Sequence, residues 1–143
     1  MTIYSTIRIF QGGSSGLVQQ GKKTIKKFPS KNTLGIKKEI KDTLKGIYGF
    51  DVVIVEIGCF YSVFEEDAQF FKKEFSFKVA QPGRQTFEET GFSNNDALLY
   101  KYVDKLKNIN KTFCVLKQKE ISPKKFERTV VISTSEKALG FTF

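Results

Sequence analysis

Residues 51–58, with the sequence DVVIVEIG, constrain the fold most strongly, because here a continuous apolar run is bounded by turn residues. The run from Val52 to Val55 has the length of a strand and is far shorter than the roughly 18 residues of a membrane span. Side chains of a strand point alternately to the two faces of a sheet, so both faces here need apolar cover. Such a run is typical of a central strand with helices packed on both faces. The sequence therefore predicts an α/β domain.

Three segments show the apolar spacing of amphipathic helices. The first spans Thr33 to Lys45 and ends at Gly46, the second spans Val63 to Phe75, and the third begins between Ser93 and Asp96 at a Ser-x-x-Asp capping arrangement. The residues expected to be buried are Ile36, Ile40, Leu44 and Ile47 in the first helix, Phe64, Ala68, Phe71 and Phe75 in the second, and Leu98, Tyr102, Leu106 and Ile109 in the third.

Strands are predicted between these helices from β-branched and aromatic runs and from alternation. They cover residues 3–10, 51–58, 75–80, 112–118 and 128–134, with a turn at SPKK and loops at 11–16 and 81–92. The order β-α-β-α-β-α-β-β predicts a single α/β domain over residues 1–143, in which a mixed β-sheet is flanked by about three helices.

Positive charge is concentrated in one part of the chain. The formal net charge is +9, and residues 22–45 carry nine lysines against two acids. Clustered cations favour a polyanionic partner, because each neutralised phosphate releases counterions. The lysines in question are Lys22, Lys23, Lys26, Lys27, Lys31, Lys37, Lys38, Lys41 and Lys45. We therefore expect nucleic acid as the partner and no membrane association; a solvated helix face is the simpler alternative.

Composition also removes several classes of catalytic site. The chain has no histidine, which is the commonest general base and metal ligand. Cys59 and Cys114 each lie in an apolar run, which favours buried free thiols in a reducing compartment over a disulfide. The N-terminal residues lack the basic and apolar regions of a secretory signal. We expect a non-catalytic cytoplasmic protein that uses no cofactor and no metal.

Two weaker patterns point to enzymes. Residues 16–22 fit the G-x-x-x-x-G-K phosphate loop, but Lys23 stands where the mechanism needs a hydroxyl for Mg²⁺, so a basic flexible loop is the better interpretation. Asp51, Glu56 and Lys78 have the loose spacing of a nuclease site. The consecutive acids at 65–67 point in different directions on a helix and suit its first turn.

Three segments, in the same order and spacing, resemble domain I of the MutS mismatch-repair proteins over about residues 33–135. Residues 58–68 (GCFYSVFEEDA) are similar to the family's G-D-F-Y-E-L-F pattern and the acidic helix that follows it. Residues 91–118 resemble the family's G-[IV]-P-x-H helix and its V-A-I-C-E-Q strand, with Gln118 at the last position and Lys117 in place of the Glu. Residues 126–134 (FERTVVIST) are similar to its V-x-R-x-V-x-x-[IV]-x-[ST] strand. The first strand and the basic loop, residues 1–32, lie outside the resemblance.

The resemblance implies a fold, a mode of binding and DNA rather than RNA as the favoured partner. In the family, the Phe of an F-x-E motif wedges beside a mispaired base, and the Glu hydrogen-bonds that base. Phe60 occupies the position of the wedge, and Ser62 stands where the Glu would be. An apolar wedge unstacks a base step and stabilises a kinked duplex. We expect the nucleic-acid site to comprise Phe60, Tyr61 and Ser62 together with the nine lysines; a core position for Phe60 is the alternative.

The same resemblance bears on partners. A chain of this length has no room for the ATPase and clamp domains of MutS, so we expect a stand-alone domain. Domains of this type accompany reverse transcriptases in diversity-generating retroelements, which implies a reverse transcriptase or another polymerase as a protein partner. The alternative function is an adaptor that holds such a polymerase, or a MutS-like protein, without binding nucleic acid. The replacement at Ser62 motivates that alternative.

Overall fold

The computed structural model describes residues 3–5, 33–80 and 88–143. The strands are β1 (Tyr4–Ser5), β2 (Val52–Ile57), β3 (Phe60–Phe64), β4 (Glu89–Ser93), β5 (Phe113–Ser122) and β6 (Lys125–Ser133). The helices are α1 (Thr33–Glu39), which continues as a π-helical stretch over Ile40–Lys45, then α2 (Glu66–Phe75) and α3 (Asp96–Asn108). A 3-10 turn (Glu136–Ala138) follows β6.

The strands form one mixed sheet in the order β1-β6-β5-β2-β3-β4. β2 pairs in parallel with β5 and antiparallel with β3, so both of its edges are hydrogen-bonded. The other strand pairs are antiparallel. Val52 to Val55 are all buried, as expected for a strand covered on both faces. The predicted α/β fold with a mixed sheet is confirmed.

Two apolar cores lie on opposite faces of the sheet. α2 and α3 cover one face, where Phe71 and Leu99 pack with Ile54. The α1 helix and the last residues of the chain cover the other face, where Leu44 and Phe143 belong to the same cluster as Val55. Burying a side chain of this size contributes about 1.5–3 kcal/mol. Because successive residues of β2 contribute to different cores, this strand connects the two layers.

The predicted helix over Val63–Phe75 is wrong at its start. Residues 60–64 form β3, which pairs with β2 and β4, and α2 begins only at Glu66. Phe64 is the last residue of the strand, although its spacing from Ala68 matched a helical face. Gly58, with φ of +62°, supplies the turn that folds β3 back on β2 as a hairpin. The strand was missed because one apolar pattern ran across the end of β3 and the start of α2.

The predicted strand over residues 75–80 and the predicted loop up to residue 92 are also wrong in part. Residues 76–79 belong to no strand, with Ser76 in a left-handed conformation at the end of α2, and Ala80 makes an isolated bridge to Glu89. Phe75, Phe77 and Val79 pack half-buried against the core, which explains the alternation without a ladder. β4 occupies the end of the expected loop, and residues 81–87 lie outside the described part of the chain.

The ends of the helices differ from the expected faces. Ile36, Ile40 and Leu44 are buried as predicted, but Ile47 lies beyond the helix and is 75% exposed. In α3 the buried residues are Leu99, Val103 and Leu106, while Leu98 and Tyr102 flank the core half-buried and Ile109 is exposed. The N-cap of α3 is Asn95, whose side chain accepts a hydrogen bond from the backbone of Leu98, rather than Ser93.

The C-terminal strands match the prediction, apart from their lengths. β5 and β6 extend beyond the expected bounds to a tight turn at Pro123 and Lys124. Of the predicted first strand, only residues 3–5 are described. Cys114 is buried as expected, whereas Cys59 is exposed, since it lies in the turn between β2 and β3.

Candidate nucleic-acid interface at the turn between β2 and β3

The turn formed by Gly58 and Cys59 leads into Phe60, the residue expected to act as a wedge. Phe60, the first residue of β3, is 51% exposed, and it is the only exposed phenylalanine among those the structure describes. It pairs with Ile57 on one side and with Ser93 on the other, so its backbone is held in the ladder. The alternative core position for Phe60 is therefore wrong, and the exposed part of the aromatic ring is available to a partner.

Gln118 holds this turn from the neighbouring side of the sheet. The backbone N–H of Gly58 donates to Oε1 of Gln118 at 3.1 Å, and Nε2 of Gln118 donates to the Gly58 carbonyl oxygen at 2.7 Å. The positive φ of Gly58 is conformationally inexpensive only for glycine, which also makes the turn flexible in isolation. A side-chain amide bonded to both polar groups of that glycine restricts the turn.

Asn94 supports the same turn from the β4 side. Its backbone N–H donates to the carbonyl oxygen of Cys59 at 3.0 Å. Its Nδ2 donates to Glu56 at 3.1 Å and lies 3.4 Å from the carbonyl oxygen of Gly58. The turn is therefore bonded on both sides, through residues that are distant in sequence.

Glu56 and Arg128 form the inner layer of this arrangement. One carboxylate oxygen of Glu56 accepts the backbone N–H of Gln118 at 3.0 Å. Nε of Arg128 donates to the backbone carbonyl of Glu56 at 3.0 Å, and its guanidinium lies 3.5 Å from Oε1 of Gln118. Arg128 is buried, and burial lowers the pKa of its guanidinium, while the Coulombic interaction with Glu56 opposes that shift. The carboxylate of Glu56 and the guanidinium of Arg128 both lie behind the turn, where their contacts orient Gln118.

Tyr61 and Ser62 are not placed for contact with a ligand, contrary to the expected site. Tyr61 is 1% exposed and packs on Phe92 with 5.6 Å between ring centroids. Burial raises the pKa of its hydroxyl well above the ordinary value. Ser62 is 3% exposed and pairs with Gly91, at the point where β3 and β4 approach closely. Both side chains face into the protein because β3 is covered on both faces.

The described lysines of the basic segment lie at the other end of β3 from Phe60. Lys37 forms an ion pair with Glu65, and Lys45 contacts Asp67 at 2.7 Å. Glu65 directly follows β3, and four strand residues correspond to about 14 Å. The structure therefore does not bring these lysines to the side chain of Phe60.

The same lysines are partly engaged in ion pairs within the chain. Lys38 pairs with Asp42 one helical turn away, and that carboxylate raises the pKa of the Lys38 ammonium. Lys41 is exposed. The remaining predicted lysines, Lys22, Lys23, Lys26, Lys27 and Lys31, lie outside the described residues.

These lysines and the start of α2 border an open groove of about 420 Å³. At its floor, Asp67 is buried and accepts hydrogen bonds from Lys45 at 2.7 Å and from the backbone of Val53 at 2.9 Å. Burial raises the pKa of this carboxyl group to about 6, an effect larger than the opposing influence of Lys45. The groove contains both signs of charge, so it is less suited to a polyanion than the lysine count implied.

The nuclease and metal hypotheses find no support in this geometry. Asp51 precedes β2 and accepts the backbone N–H of Thr112, whereas Glu56 lies near the other end of the strand. Five residues of strand separate the two carboxylates by about 17 Å, too far to share one metal ion. Within residues 3–5, 33–80 and 88–143, no group of three or more Cys, Asp or Glu side chains could hold a metal.

The phosphate-loop pattern lies outside the described residues. No helix in the described part of the chain is long and apolar enough to cross a membrane.

Comparison with known proteins agrees with the geometry of the turn. The family model of MutS domain I matches residues 38–139, which include Phe60, Gln118 and Arg128. No curated protein and no solved structure matches the chain. MutS domain I is a non-catalytic recognition domain. Because the match spans more than half of the sequence and confirms the resemblance of three separate segments, the chain belongs to the MutS domain I family.

Proposed function

We propose that the chain binds duplex DNA and prefers duplexes weakened by mispairing or distortion, with Phe60 inserting at the weakened base step. The observation that carries this proposal is the exposed ring of Phe60 on a turn bonded from both sides, at the position of the family's wedge. Inserting an apolar side chain requires partial unstacking, which takes less free energy where pairing is already poor. A preference for distorted duplex follows from this difference.

The replacement of the family's Glu by Ser62 shapes the expected specificity. Ser62 is 3% exposed, so its hydroxyl does not reach a base in this conformation. Without a side chain that hydrogen-bonds the mispaired base, discrimination rests on how easily the duplex is deformed. We therefore propose that the order of affinities follows duplex flexibility, with bulges above mismatches and mismatches above regular duplex. An RNA–DNA hybrid belongs in the same series as an alternative ligand.

Phosphate contacts are proposed for the basic segment, at lysines that are not needed for packing. Exposed Lys38 and Lys41 are the described members of this group, and the five lysines between 22 and 31 complete it. Lys37 and Lys45 connect α1 to the start of α2 through ion pairs, so their replacement is expected to affect stability as well as binding. Phosphate contacts position the protein but do not select a sequence.

Fluorescence anisotropy with labelled duplexes tests this proposal. The parent, Phe60→Ala and a control, Ile47→Ala, are titrated with regular, mismatched and bulged DNA and with an RNA–DNA hybrid. Ile47 is a suitable control because it is exposed and precedes the opposite end of β2. Phe60→Ala should weaken binding to distorted duplex by about 1–3 kcal/mol, the range for a lost aromatic–base stack, and regular duplex far less.

Two results would contradict the proposal. One is a parent protein that binds distorted and regular duplexes equally. The other is a Phe60→Ala variant that keeps the preference of the parent. Affinity that does not change with salt would also exclude the phosphate contacts, because such contacts make log K fall linearly with log salt concentration.

We also propose an accessory role beside a polymerase such as a reverse transcriptase. The recognition domain of MutS acts within a larger machine, so a partner enzyme would act on the nucleic acid that this chain binds. The competing proposal is an adaptor that has lost DNA binding, which the serine at position 62 favours. Co-purification with a polymerase that survives nuclease treatment supports the adaptor, whereas co-purification that nuclease abolishes supports a role on nucleic acid.

A further inference from the structure

We infer that Gln118 is a positioning residue, which fixes the turn at Gly58 so that Phe60 is already oriented for insertion before DNA binds. This inference rests on the proposed function, because it assigns a role to a residue that touches no base. Its basis is the pair of hydrogen bonds between the Gln118 amide and both polar backbone groups of Gly58, at 3.1 and 2.7 Å.

The need for such a residue follows from the sequence of the turn. Gly58 has a positive φ, and glycine loses more conformational entropy than any other residue when it is ordered. A flexible turn would leave Phe60 correctly oriented for only a fraction of the time. Apparent affinity falls in proportion to the competent fraction, so fixing the turn increases affinity without a new contact to DNA.

The orientation of Gln118 is itself fixed by charged neighbours. Its backbone N–H is bonded to Glu56, and its Oε1 lies 3.5 Å from the buried guanidinium of Arg128. Arg128 also donates to the backbone of Glu56, the residue two positions before Gly58. A purely structural glutamine would not need both of its amide atoms directed at one exposed turn. The Gln118 side chain, which belongs to β5, contacts both Arg128 on β6 and Gly58 in the turn.

A near-isosteric variant at position 118 tests the two atoms of the amide. Oε1 of Gln118 accepts the Gly58 N–H, and Nε2 donates to the Gly58 carbonyl oxygen at 2.7 Å. A glutamate would keep the acceptor but would set a second carboxylate oxygen against that carbonyl oxygen, and two acceptors repel each other. The longer contact of Asn94 Nδ2 with the same carbonyl oxygen, at 3.4 Å, does not remove this repulsion. Gln118→Glu should therefore disturb the turn as Gln118→Ala does, although glutamate and glutamine have nearly the same size.

Amide hydrogen exchange and duplex binding, measured on the same variants of the full chain, test the inference. The matched control is Thr112→Ala, which removes a side-chain bond to the backbone N–H of Asp51, 2.9 Å long, at the other end of β2 and β5. In Gln118→Ala, exchange of the Gly58 amide should rise about tenfold or more through local opening, while amides in the centre of β2 remain protected. The preference for mismatched over regular duplex should fall about three- to tenfold, the fold-change expected for loss of the hydrogen bond to the Gly58 N–H while Asn94 stays near the Gly58 carbonyl oxygen.

The possible results separate this inference from the proposed function. Thr112→Ala should keep the parent's preference for mismatched duplex, and Gln118→Glu should lose that preference as Gln118→Ala does. A Gln118→Ala variant with an exposed Gly58 amide and unchanged preference would overturn the positioning role alone, and so would an unchanged Gly58 amide. A folded Gln118→Glu variant that keeps the parent's preference would also overturn it. A parent without any preference for mismatched duplex would overturn the proposed function, and with it the role of Gln118 in binding.

Discussion

Phe60 and Tyr61 are adjacent in the chain, yet their side chains lie in opposite environments. Phe60 is 51% exposed, and Tyr61 is 1% exposed with its ring packed on Phe92. The alternation of a β-strand explains the difference in direction, and the position of Phe60 at the start of β3, next to the turn, explains why its ring is only half covered. One residue of this pair is therefore available for recognition, and its neighbour stabilises the core.

Replacing each member of this pair by alanine should separate binding from stability. Tyr61→Ala removes a large buried side chain and should lower the free energy of unfolding by about 3–5 kcal/mol. Phe60→Ala should change it by less than about 1 kcal/mol, since little packing is lost at an exposed site. Urea unfolding followed by circular dichroism measures both. Equal losses of stability would show that the ring of Phe60 packs in the core and that the family's mechanism does not apply.

Gly91 is expected to tolerate no larger side chain, because β3 and β4 approach closely at this position. A Cβ atom at residue 91 would lie 2.1 Å from the backbone carbonyl oxygen of Tyr61 and would force the strands apart. We expect Gly91→Ala to lower the free energy of unfolding by about 1–3 kcal/mol, as overpacking of this kind does. Thermal melting of the parent and of Gly91→Ala measures the effect. A Gly91→Ala variant as stable as the parent would contradict this close approach.

The parts of the fold that could be predicted were those in which local pattern and tertiary packing agree. The run Val52–Val55 predicted a central strand because both faces of β2 are buried, and Ile36, Ile40 and Leu44 predicted the face of α1 because they do pack together. At β3 the local apolar pattern and the tertiary packing disagreed. Phe64 and Ala68 share helical spacing, but the first ends a strand and the second lies inside α2.

The candidate site was predictable only where one residue carries the signal. Phe60 could be identified by its resemblance to the family's wedge. The turn before Phe60, in contrast, is held by hydrogen bonds between residues about sixty positions apart in the sequence. The hydrogen bonds from Gln118 to Gly58 and from the backbone of Gln118 to Glu56 arise because β2 and β5 are parallel neighbours. No local spacing encodes such a pairing. The lysine cluster misled for a related reason, since the acids that pair with Lys37 and Lys45 lie just before α2 and in its first turn.

The two cysteines should report the state of the turn without any substitution. Cys59 is exposed beside Phe60, whereas Cys114 is buried, and burial raises the pKa of its thiol well above the ordinary value. Because the thiolate is the reactive form, a thiol reagent should modify Cys59 rapidly in the native protein and Cys114 only after unfolding. Mass spectrometry of the modified peptides distinguishes the two. Excess mismatched duplex should slow the modification of Cys59, and an unchanged rate in a saturated complex would place DNA away from this turn.

Asp67 should make the stability of the protein depend on pH in the weakly acidic range. Burial raises the pKa of this carboxyl to about 6 in the folded protein, above the ordinary aspartate value of 3.8. The folded state therefore binds the proton more tightly than the unfolded state, so the stabilisation is complete below about pH 4 and is lost as pH rises through about 6. A shift of this size corresponds to a change on the order of 2–3 kcal/mol in the free energy of unfolding.

The Asp67→Asn variant cannot titrate at this position, so the stabilities of parent and variant should diverge across this range. The parent should lose stability relative to the variant as pH increases. Urea unfolding of both proteins at intervals from pH 4 to pH 8 measures the difference. A difference that stays constant with pH, or that changes in favour of the parent at higher pH, would show that Lys45 and the backbone N–H of Val53 outweigh burial and keep the carboxylate ionised.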